Sequence, residues 1–353
     1  MKIAYMYDKE VGNFFYGEDH PMKPHRVAIT HTLVKNYGLD KHMDIIEPEI
    51  LYDNNVFSVF HTKNYINTIT NETLEPSDDC PCFPGLGIFS KRYSSATINC
   101  SKLLNEYDIA INWGGGLHHA KKEEPSGFCY FNDIVMGIQE ILKYKERVLY
   151  IDIDIHHGDG VEEAFYHSDR VMTLSFHKFG EGYYPGTGDL FTNGDEEGLG
   201  YAVNVPLKNG IDDHSYHYVF KPIVDQAIKK FKPSAIVLQC GADSLAEDTL
   251  GCFNLSIQGH GECVKTVKSY NIPLLILGGG GYNIKNVSRA WVNETAIACD
   301  VQIKNEIDKN QYSAYFEPSQ SLYPRLKKKY DNVNSKKYLD VVVNYNLELM
   351  DNY

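Results

Sequence analysis

Short apolar runs alternate along the chain with longer stretches in which apolar residues recur every three or four positions. The periodic stretches at 131–145, 214–231 and 284–300 predict helices. Regular alternation of strands and helices predicts one α/β domain, with a mostly parallel central sheet of about eight strands and helices on both faces. The runs that read as strands lie at 2–7, 108–113, 147–155, 171–176, 201–207, 234–240 and 272–281.

The end of the chain differs in composition from the rest. Residues 317–353 contain the basic run RLKKKY (325–330) and carry none of the strand patterns, which predicts a closing helix and a polar tail. Residues 1–316 then form the main domain. The basic run also fits a nuclear localisation signal, but a solvated helix face is the simpler interpretation.

The stretch YIDIDIHHGDG (150–160) is unusual for a buried strand, because Asp152, Asp154 and His156 alternate with isoleucines and would share one face. Burying carboxylates without partners is costly. Residues two apart on a strand are separated by roughly 6.6 Å and residues four apart by about 13 Å. One ion can therefore bind two successive members of this trio, but not Asp152 and His156 together. His156 is nearest the strand's carboxyl end, which favours Asp154 and His156 as metal ligands and Asp152 as an orienting group. The alternative is a set of carboxylates satisfied by backbone amides.

Four polar clusters follow predicted strands: GGGLHHA, HHGDG, GADSL and GGGGY. Ligands bind at the carboxyl ends of the strands in open parallel sheets, so these clusters predict one shared site. Asp243 of GADSL is the best-placed third metal ligand. Two Asp and one His leave a position open for water, which is the pattern of a catalytic metal site.

His118 and His119 are candidates for proton transfer, with Asp152 and Asp159 as candidates to orient their rings. Tyr282 follows four glycines, whose close backbone approach would suit a hydroxyl aimed at a carbonyl oxygen. Taken alone, these residues also fit a pair of structural histidines and a core tyrosine. The glycines lack the spacing of a phosphate-binding loop.

Composition limits the possible functions. Of 353 residues, 43% are hydrophobic and 23% charged, which is ordinary for a soluble globular protein, and no apolar run approaches a membrane span of about 18 residues. The net charge of −13 argues against direct nucleic-acid binding and favours a basic partner. Eight cysteines without zinc-ribbon spacing fit a reducing intracellular compartment.

A series of longer motifs covers nearly the whole chain: HPMKPHR, DCP, GGLHHAKK, SGFCYFND, YIDIDIHHGDGVEEAF, PGTGD, LQCGADSL, LGCFNLS and LGGGGY. In this order they resemble the class I histone deacetylases, which share the arginase–deacetylase fold with the acetylpolyamine amidohydrolases. The resemblance implies a deacetylase catalytic domain over 1–316 that uses zinc (Zn²⁺, with Fe²⁺ as the alternative). Its implied reaction is removal of acetyl from lysine in histone tails, in transcriptional repression and chromatin regulation. A nuclear location is implied, with the cytoplasm as the alternative.

The resemblance also assigns roles to individual residues. It implies that zinc is held by Asp154, His156 and Asp243. Proton transfer is implied for His118 paired with Asp152 and His119 paired with Asp159, and carbonyl polarisation for Tyr282. Substrate contacts are implied for Asp79, Gly127, Phe128, Tyr184 and Leu250. A structural K⁺ or Na⁺ is implied near Asp152, Asp154, His156, Ser175 and Phe176.

The chain departs from the family at several of these positions. Tyr184 stands where the family usually has Phe. Class I enzymes can bind an inositol polyphosphate shared with a corepressor protein through basic residues, of which Lys23 and Arg26 are retained. The positions that differ at this site are Phe15, Asp19, Thr249 and Lys285. We therefore expect little inositol polyphosphate binding, and corepressor contacts, if any, of a different kind.

Two other functions remain open at this stage. One is hydrolysis of acetylated polyamines. Asp79 and the HPMKPHR segment argue against this function. The other is a non-catalytic scaffold in a corepressor assembly. The intact set of site residues argues against this function.

Overall fold

One sheet of parallel strands organises the computed structural model, which describes residues 1–180 and 182–351. The strands are β1 (Ile3–Met6), β2 (Asp44–Ile46), β3 (Ile109–Asn112), β4 (Val148–Asp152), β5 (Val171–Lys178), β6 (Ala202–Leu207), β7 (Ala235–Gln239) and β8 (Leu274–Leu277). They lie in the order β2-β1-β3-β8-β7-β4-β5-β6, and every neighbouring pair is parallel. The predicted α/β fold with about eight strands is confirmed.

The α-helices of the described residues connect or flank these strands. Side-chain caps define where four of them begin, namely α2, α4, α6 and α7. Asp212, for example, accepts from the Ser215 amide before α6, and Ser256 from the Gly259 amide before α7. The helices are α1 (Arg26–Asn36), α2 (Lys63–Thr70), α3 (Leu86–Leu103), α4 (Asp133–Ile141), α5 (Asp159–Phe165), α6 (Asp213–Phe231), α7 (Ile257–Lys268), α8 (Ile284–Ala298) and α9 (Lys336–Asp351).

The two faces of the sheet carry separate apolar layers. In β4, Leu149 and Ile151 pack in the layer shared with α1, α6, α7, α8 and α9. Val148 and Tyr150 pack in the layer shared with α3, α4 and α5. Since side chains alternate across a strand, both faces of β4 are buried, and the strand reads as a continuous apolar run.

The sequence pattern is wrong about the ends of two strands and misses a third. The run at 272–281 is too long, because β8 ends at Leu277. The run at 147–155 is too long, because β4 ends at Asp152 and leaves Asp154 and His156 in the following loop. Two carboxylates turn the backbone there: the Asp154 amide donates to Asp152 Oδ1 (3.1 Å) and the His156 amide to Asp154 Oδ1 (3.0 Å). The short edge strand β2 was not predicted, since its partly exposed residues form no apolar run.

Helix α9 packs against the β6 edge of the sheet. Leu339 and Val342 are buried there, and the Tyr338 hydroxyl donates to the Pro206 carbonyl at 2.8 Å. Asn346 donates to the Asn204 carbonyl at 3.0 Å. The boundary between residues 316 and 317 stays a prediction. Among the described residues, no helix combines the length and the apolar character that a membrane crossing requires.

Candidate active site

The four polar clusters predicted from the sequence meet at one edge of the sheet. They follow β3, β8, β7 and β4, which are consecutive neighbours in the strand order. All four strands are parallel, so their carboxyl ends lie side by side. The site is therefore built on the centre of the sheet.

Asp154, His156 and Asp243 form a buried group of possible metal ligands, with ligand atoms all within 4.8 Å of one another. His156 Nδ1 lies 3.2 Å from Asp154 Oδ1 and 3.1 Å from Asp243 Oδ2. Two ligand atoms bound to zinc at about 2.0–2.1 Å in tetrahedral geometry lie about 3.3 Å apart. The spacing of these three side chains therefore fits a zinc-sized cation.

The surroundings of this group also fit a cation. A Cβ atom at Gly241 would lie 1.9 Å from Asp154 Oδ2, and one at Gly280 would lie 2.1 Å from Asp243 Oδ2, so glycine is required at both positions. Burial and the charge of Asp154 raise the pKa of Asp243 to about 7. A bound cation would relieve this concentration of negative charge.

His118 and Asp152 form the first of two His–Asp pairs. His118 Nδ1 lies 2.7 Å from Asp152 Oδ2, and both side chains are buried. Burial disfavours the imidazolium, but the charges of Asp152 and Asp154 outweigh it and raise the pKa of His118 to about 9. The Tyr150 hydroxyl donates to the same Asp152 oxygen at 2.5 Å, so this carboxylate is enclosed by neighbouring groups.

His119 and Asp159 form the second pair. His119 Nδ1 lies 2.6 Å from Asp159 Oδ1, and the rings of His118 and His119 are 3.9 Å apart between centroids. Burial and the neighbouring His118 lower the pKa of His119 to about 3. Asp159 Oδ2 accepts from Lys121 Nζ at 2.7 Å, a contact that the sequence did not predict.

Tyr282 is held by the loop after β8. Asp248 Oδ2 accepts from the Tyr282 amide at 2.7 Å, and Arg26 Nη1 donates to the Gly281 carbonyl at 2.7 Å. The Tyr282 ring stands edge-on to Phe128, with 5.6 Å between ring centroids. Burial raises the pKa of Tyr282 well above its usual range, so its hydroxyl stays a hydrogen-bond donor.

A cavity of about 290 Å³ opens above these groups. Its lining includes all five predicted substrate contacts together with His119, His156, Tyr183 and Tyr282. Those contacts are Asp79, Gly127, Phe128, Tyr184 and Leu250. Asp79 Oδ2 accepts from the Gly127 amide at 2.9 Å. A Cβ at Gly127, whose φ is +51°, would lie 2.3 Å from His119 Cδ2, so this turn requires glycine.

Some residues that shape the site were missed by sequence reasoning. The Tyr183 ring stacks on His156 at 5.3 Å between centroids, and its hydroxyl donates to the Leu250 carbonyl at 3.1 Å. Gln239 Nε2 donates to Asp154 Oδ2 at 3.0 Å. Gln239 ends β7, so the rule that predicted the other polar strand ends applies to it as well.

The residues implied in a structural cation site lie beside this centre. Ser175 pairs with Asp152 across the β4–β5 ladder and is buried. The Phe176 side chain packs against Phe220 at 4.8 Å between ring centroids, which leaves only its backbone to face an ion. The cation itself stays a prediction.

The two retained basic residues differ in their surroundings. Arg26 is buried, binds the Gly279 and Gly281 carbonyls, and lies over the Trp291 ring. Because the glycine loop already uses the Arg26 guanidinium, this residue adds to the reasons for expecting little inositol polyphosphate binding, which stays a prediction. Lys23 Nζ donates to the Glu18 carbonyl at 2.7 Å.

The carboxyl edge of this parallel sheet carries a buried Asp–His–Asp group, two His–Asp pairs and a tyrosine. This arrangement is typical of α/β hydrolases that use a metal ion. Comparison with known proteins identifies the family. The histone deacetylase domain matches residues 20–298. Histone deacetylase 19 of Arabidopsis thaliana is 51% identical over 97% of this chain and 71% of its own length. Histone deacetylase B of Dictyostelium discoideum is 50% identical over 96% of this chain and 84% of its own length.

A third relative, histone deacetylase 9 of Arabidopsis thaliana, is 51% identical over 97% of this chain and 83% of its own length. These matches extend beyond the site to nearly the full sequence. The chain belongs to the histone deacetylase family, a family of hydrolases.

Proposed function

We propose that this protein hydrolyses the acetyl amide of N6-acetyl-lysine in histone tails, with zinc held by Asp154, His156 and Asp243. The observation that carries the proposal is the placement of this buried group beside two His–Asp pairs and Tyr282, next to a cavity that His119, His156 and Tyr282 line. The family membership supports the reaction, and the donor set supports the metal.

The metal and the two histidines have separate roles in the proposed reaction. When bound, zinc would supply a Lewis acid and make water a better nucleophile at neutral pH. In each His–Asp pair, the carboxylate accepts from Nδ1, which leaves Nε2 as the atom that exchanges a proton. His119, which lines the cavity, takes the proton of the attacking water. His118, which is oriented by Asp152, can protonate the leaving amine.

Tyr282 completes the site as a hydrogen-bond donor to the acetyl oxygen, where negative charge develops as water attacks. The fixed loop position of its backbone restricts where the hydroxyl can reach. This role needs a protonated phenol, and the raised pKa of Tyr282 provides it over the whole working pH range.

The cavity suits an extended acyl-lysine side chain. Phe128, Tyr184 and Leu250 provide an apolar lining for the methylenes, and Asp79 lies at the exposed rim, where a peptide backbone would pass. The net charge of −13 would attract the Lys- and Arg-rich tails of histones. A histone tail thus fits both the cavity and the charge.

Further parts of the proposal rest on the family. Residues 1–316 would form the catalytic domain, and residues 317–353 its closing segment. Zinc is proposed over ferrous iron, and a K⁺ or Na⁺ is proposed beside Asp152 and Ser175. Action in the nucleus on chromatin, in transcriptional repression with corepressor proteins, is proposed on the same ground, and the relatives' names support a histone substrate.

A comparison of two substrates tests the proposal. Purified protein should hydrolyse an acetylated histone H4 tail peptide with a kcat/KM at least about 100-fold above that for acetylspermidine, because the peptide also contacts the rim. A preference for acetylspermidine would favour a polyamine amidase. No hydrolysis of either substrate by metal-loaded protein would favour a scaffold.

A further inference from the structure

Asp159 lies between two side chains that each use one of its oxygens. Oδ1 is 2.6 Å from His119 Nδ1, and Oδ2 is 2.7 Å from Lys121 Nζ. Asp159 is 7% exposed, and the Lys121 side chain is 17% exposed. Lys121 is thus a partly buried cation placed directly behind a His–Asp pair.

The position of Lys121 in the chain makes this contact a restraint on His119. Lys121 follows His119 by two residues, and Asp159 stands in the first turn of α5, so one carboxylate binds both ends of a three-residue segment. The Lys121 amide also donates to the Glu124 carbonyl at 3.0 Å. With both oxygens engaged, the carboxylate has one orientation in which Oδ1 faces the imidazole.

The two His–Asp pairs differ in how their carboxylates are held. Asp152 is enclosed by neutral donors, since Oδ2 accepts from Tyr150 and Oδ1 from the Asp154 amide. Asp159 depends on a charged side chain instead. It also borders a separate cavity of about 300 Å³, whose lining includes Lys121 and Glu163. Without Lys121, water in this cavity could solvate Oδ2 and let the carboxylate turn.

We propose that Lys121 is a positioning residue for deacetylation: by binding Asp159 Oδ2 it fixes the orientation of the Asp159–His119 pair. This inference rests on the proposed function and adds a residue that does not touch the substrate cavity. The nearby carboxylate of Glu163 also contacts Lys121 at 3.0 Å, but its side chain is 65% exposed. An exposed partner of this kind contributes little, so Glu163 serves as a control.

Steady-state kinetics on an acetylated histone H4 tail peptide test the proposal. Lys121→Met should lower kcat by about 10–100-fold, as loss of an orienting partner does, and leave KM within about twofold. Lys121→Arg keeps the charge and should recover most of the rate. Lys122→Met, at the exposed neighbouring position, and Glu163→Gln should match the wild type. Bound metal, measured by mass spectrometry, should be equal in all of them.

A double-mutant cycle separates positioning from a general effect on the fold. In an Asp159→Asn background, Lys121→Met should cause little further loss, because its effect passes through Asp159. Lys121→Gln provides a second neutral variant if Lys121→Met does not fold. The inference is overturned if the neutral variants keep the wild-type kcat, or if their loss is fully additive with Asp159→Asn. A wild type that cannot hydrolyse the peptide would overturn the proposed function, and this inference with it.

Discussion

The Tyr184 hydroxyl lies 2.5 Å from the Ser126 hydroxyl, so a hydrogen bond joins two segments of the cavity mouth. Ser126 precedes the turn of Gly127 and Phe128, whose φ angles of +51° and +68° are both in the left-handed region. The Tyr184 ring also stands edge-on to His119, with 5.0 Å between centroids. Tyr184 therefore ties one cavity wall to the turn that carries Phe128.

We expect Tyr184→Phe to bind flat, apolar hydroxamate inhibitors more tightly than the wild type. The substitution removes the bond to Ser126, frees the turn of Gly127 and Phe128, and takes a polar group out of the cavity wall. A net hydrogen bond of this type corresponds to about a 2- to 10-fold change in the inhibition constant. Inhibition constants measured on both proteins check this. Ser126→Ala breaks the same bond but keeps the Tyr184 hydroxyl in the wall, so its gain in affinity should be smaller than that of Tyr184→Phe. Equal constants for all three proteins would exclude the bond from control of the cavity.

Metal binding and carbonyl polarisation should separate by mutation. Asp243→Ala should lose both metal and activity, while Tyr282→Phe should keep the metal and lose about 10²–10³-fold in kcat. Asp243→Asn is the matched control for folding, because an amide oxygen can still accept from the Ile155 amide as Asp243 Oδ1 does. Full metal occupancy with a normal rate in Asp243→Ala would contradict the ligand assignment.

Inositol hexakisphosphate should neither bind tightly nor activate. Arg26 is committed to the glycine loop, Lys23 is held by the Gly17 and Glu18 carbonyls, and Asp19 adds a negative charge. Calorimetry and activity at moderate salt provide the measurement. A variant with Asp19→Gly, Thr249→Arg and Lys285→Arg is the positive control and should gain affinity. Submicromolar binding to the wild type, or a several-fold rise in rate that Lys23→Ala abolishes, would contradict this prediction.

His61 should make the fold sensitive to mild acid. It is buried, accepts from the Asn132 amide at 2.9 Å, and has a pKa lowered to about 4, chiefly by burial. The neutral form is favoured in the folded state, so its contribution is complete above the unfolded pKa of about 6.5 and is lost as pH falls toward 4. Between pH 7.5 and 5 this costs about 2 kcal/mol of unfolding free energy.

Urea unfolding at the two pH values measures the effect of His61. The chain contains 14 histidines, so the comparison is with His61→Gln, whose amide oxygen can replace Nε2 as the acceptor. The free energy of unfolding of this variant should fall by about 2 kcal/mol less than that of the wild type. The same pH dependence in both proteins would show that His61 is not the sensitive group.

The sequence located the site well because parallel-sheet geometry is simple. Polar residues after four strands had to meet once those strands were neighbours, and β3, β8, β7 and β4 are consecutive. It was less accurate about the conformation of the loop after β4, because side-chain hydrogen bonds from Asp152 and Asp154 end the strand early.

Long-range packing set the features that the sequence did not predict. Arg26 is 255 residues from Gly281, and no local pattern relates a helical arginine to a distant glycine loop. In the sequence, Lys121 resembles a solvated loop lysine. Only the folded structure shows that Asp159 of α5 lies against it. Tyr184 was implied as a cavity residue by the resemblance, but only the folded loop shows that the adjacent Tyr183 lines the cavity as well.

The central claim is that Asp154, His156 and Asp243 hold a metal that deacetylation requires. The direct measurement is acetate release from an acetylated histone H4 tail peptide by purified protein, before and after metal removal by a chelator. We predict that activity disappears with the metal and returns on addition of a single equivalent of Zn²⁺, while Asp243→Asn is not restored by the same addition. Undiminished acetate release by protein shown by mass spectrometry to contain no metal would contradict the account.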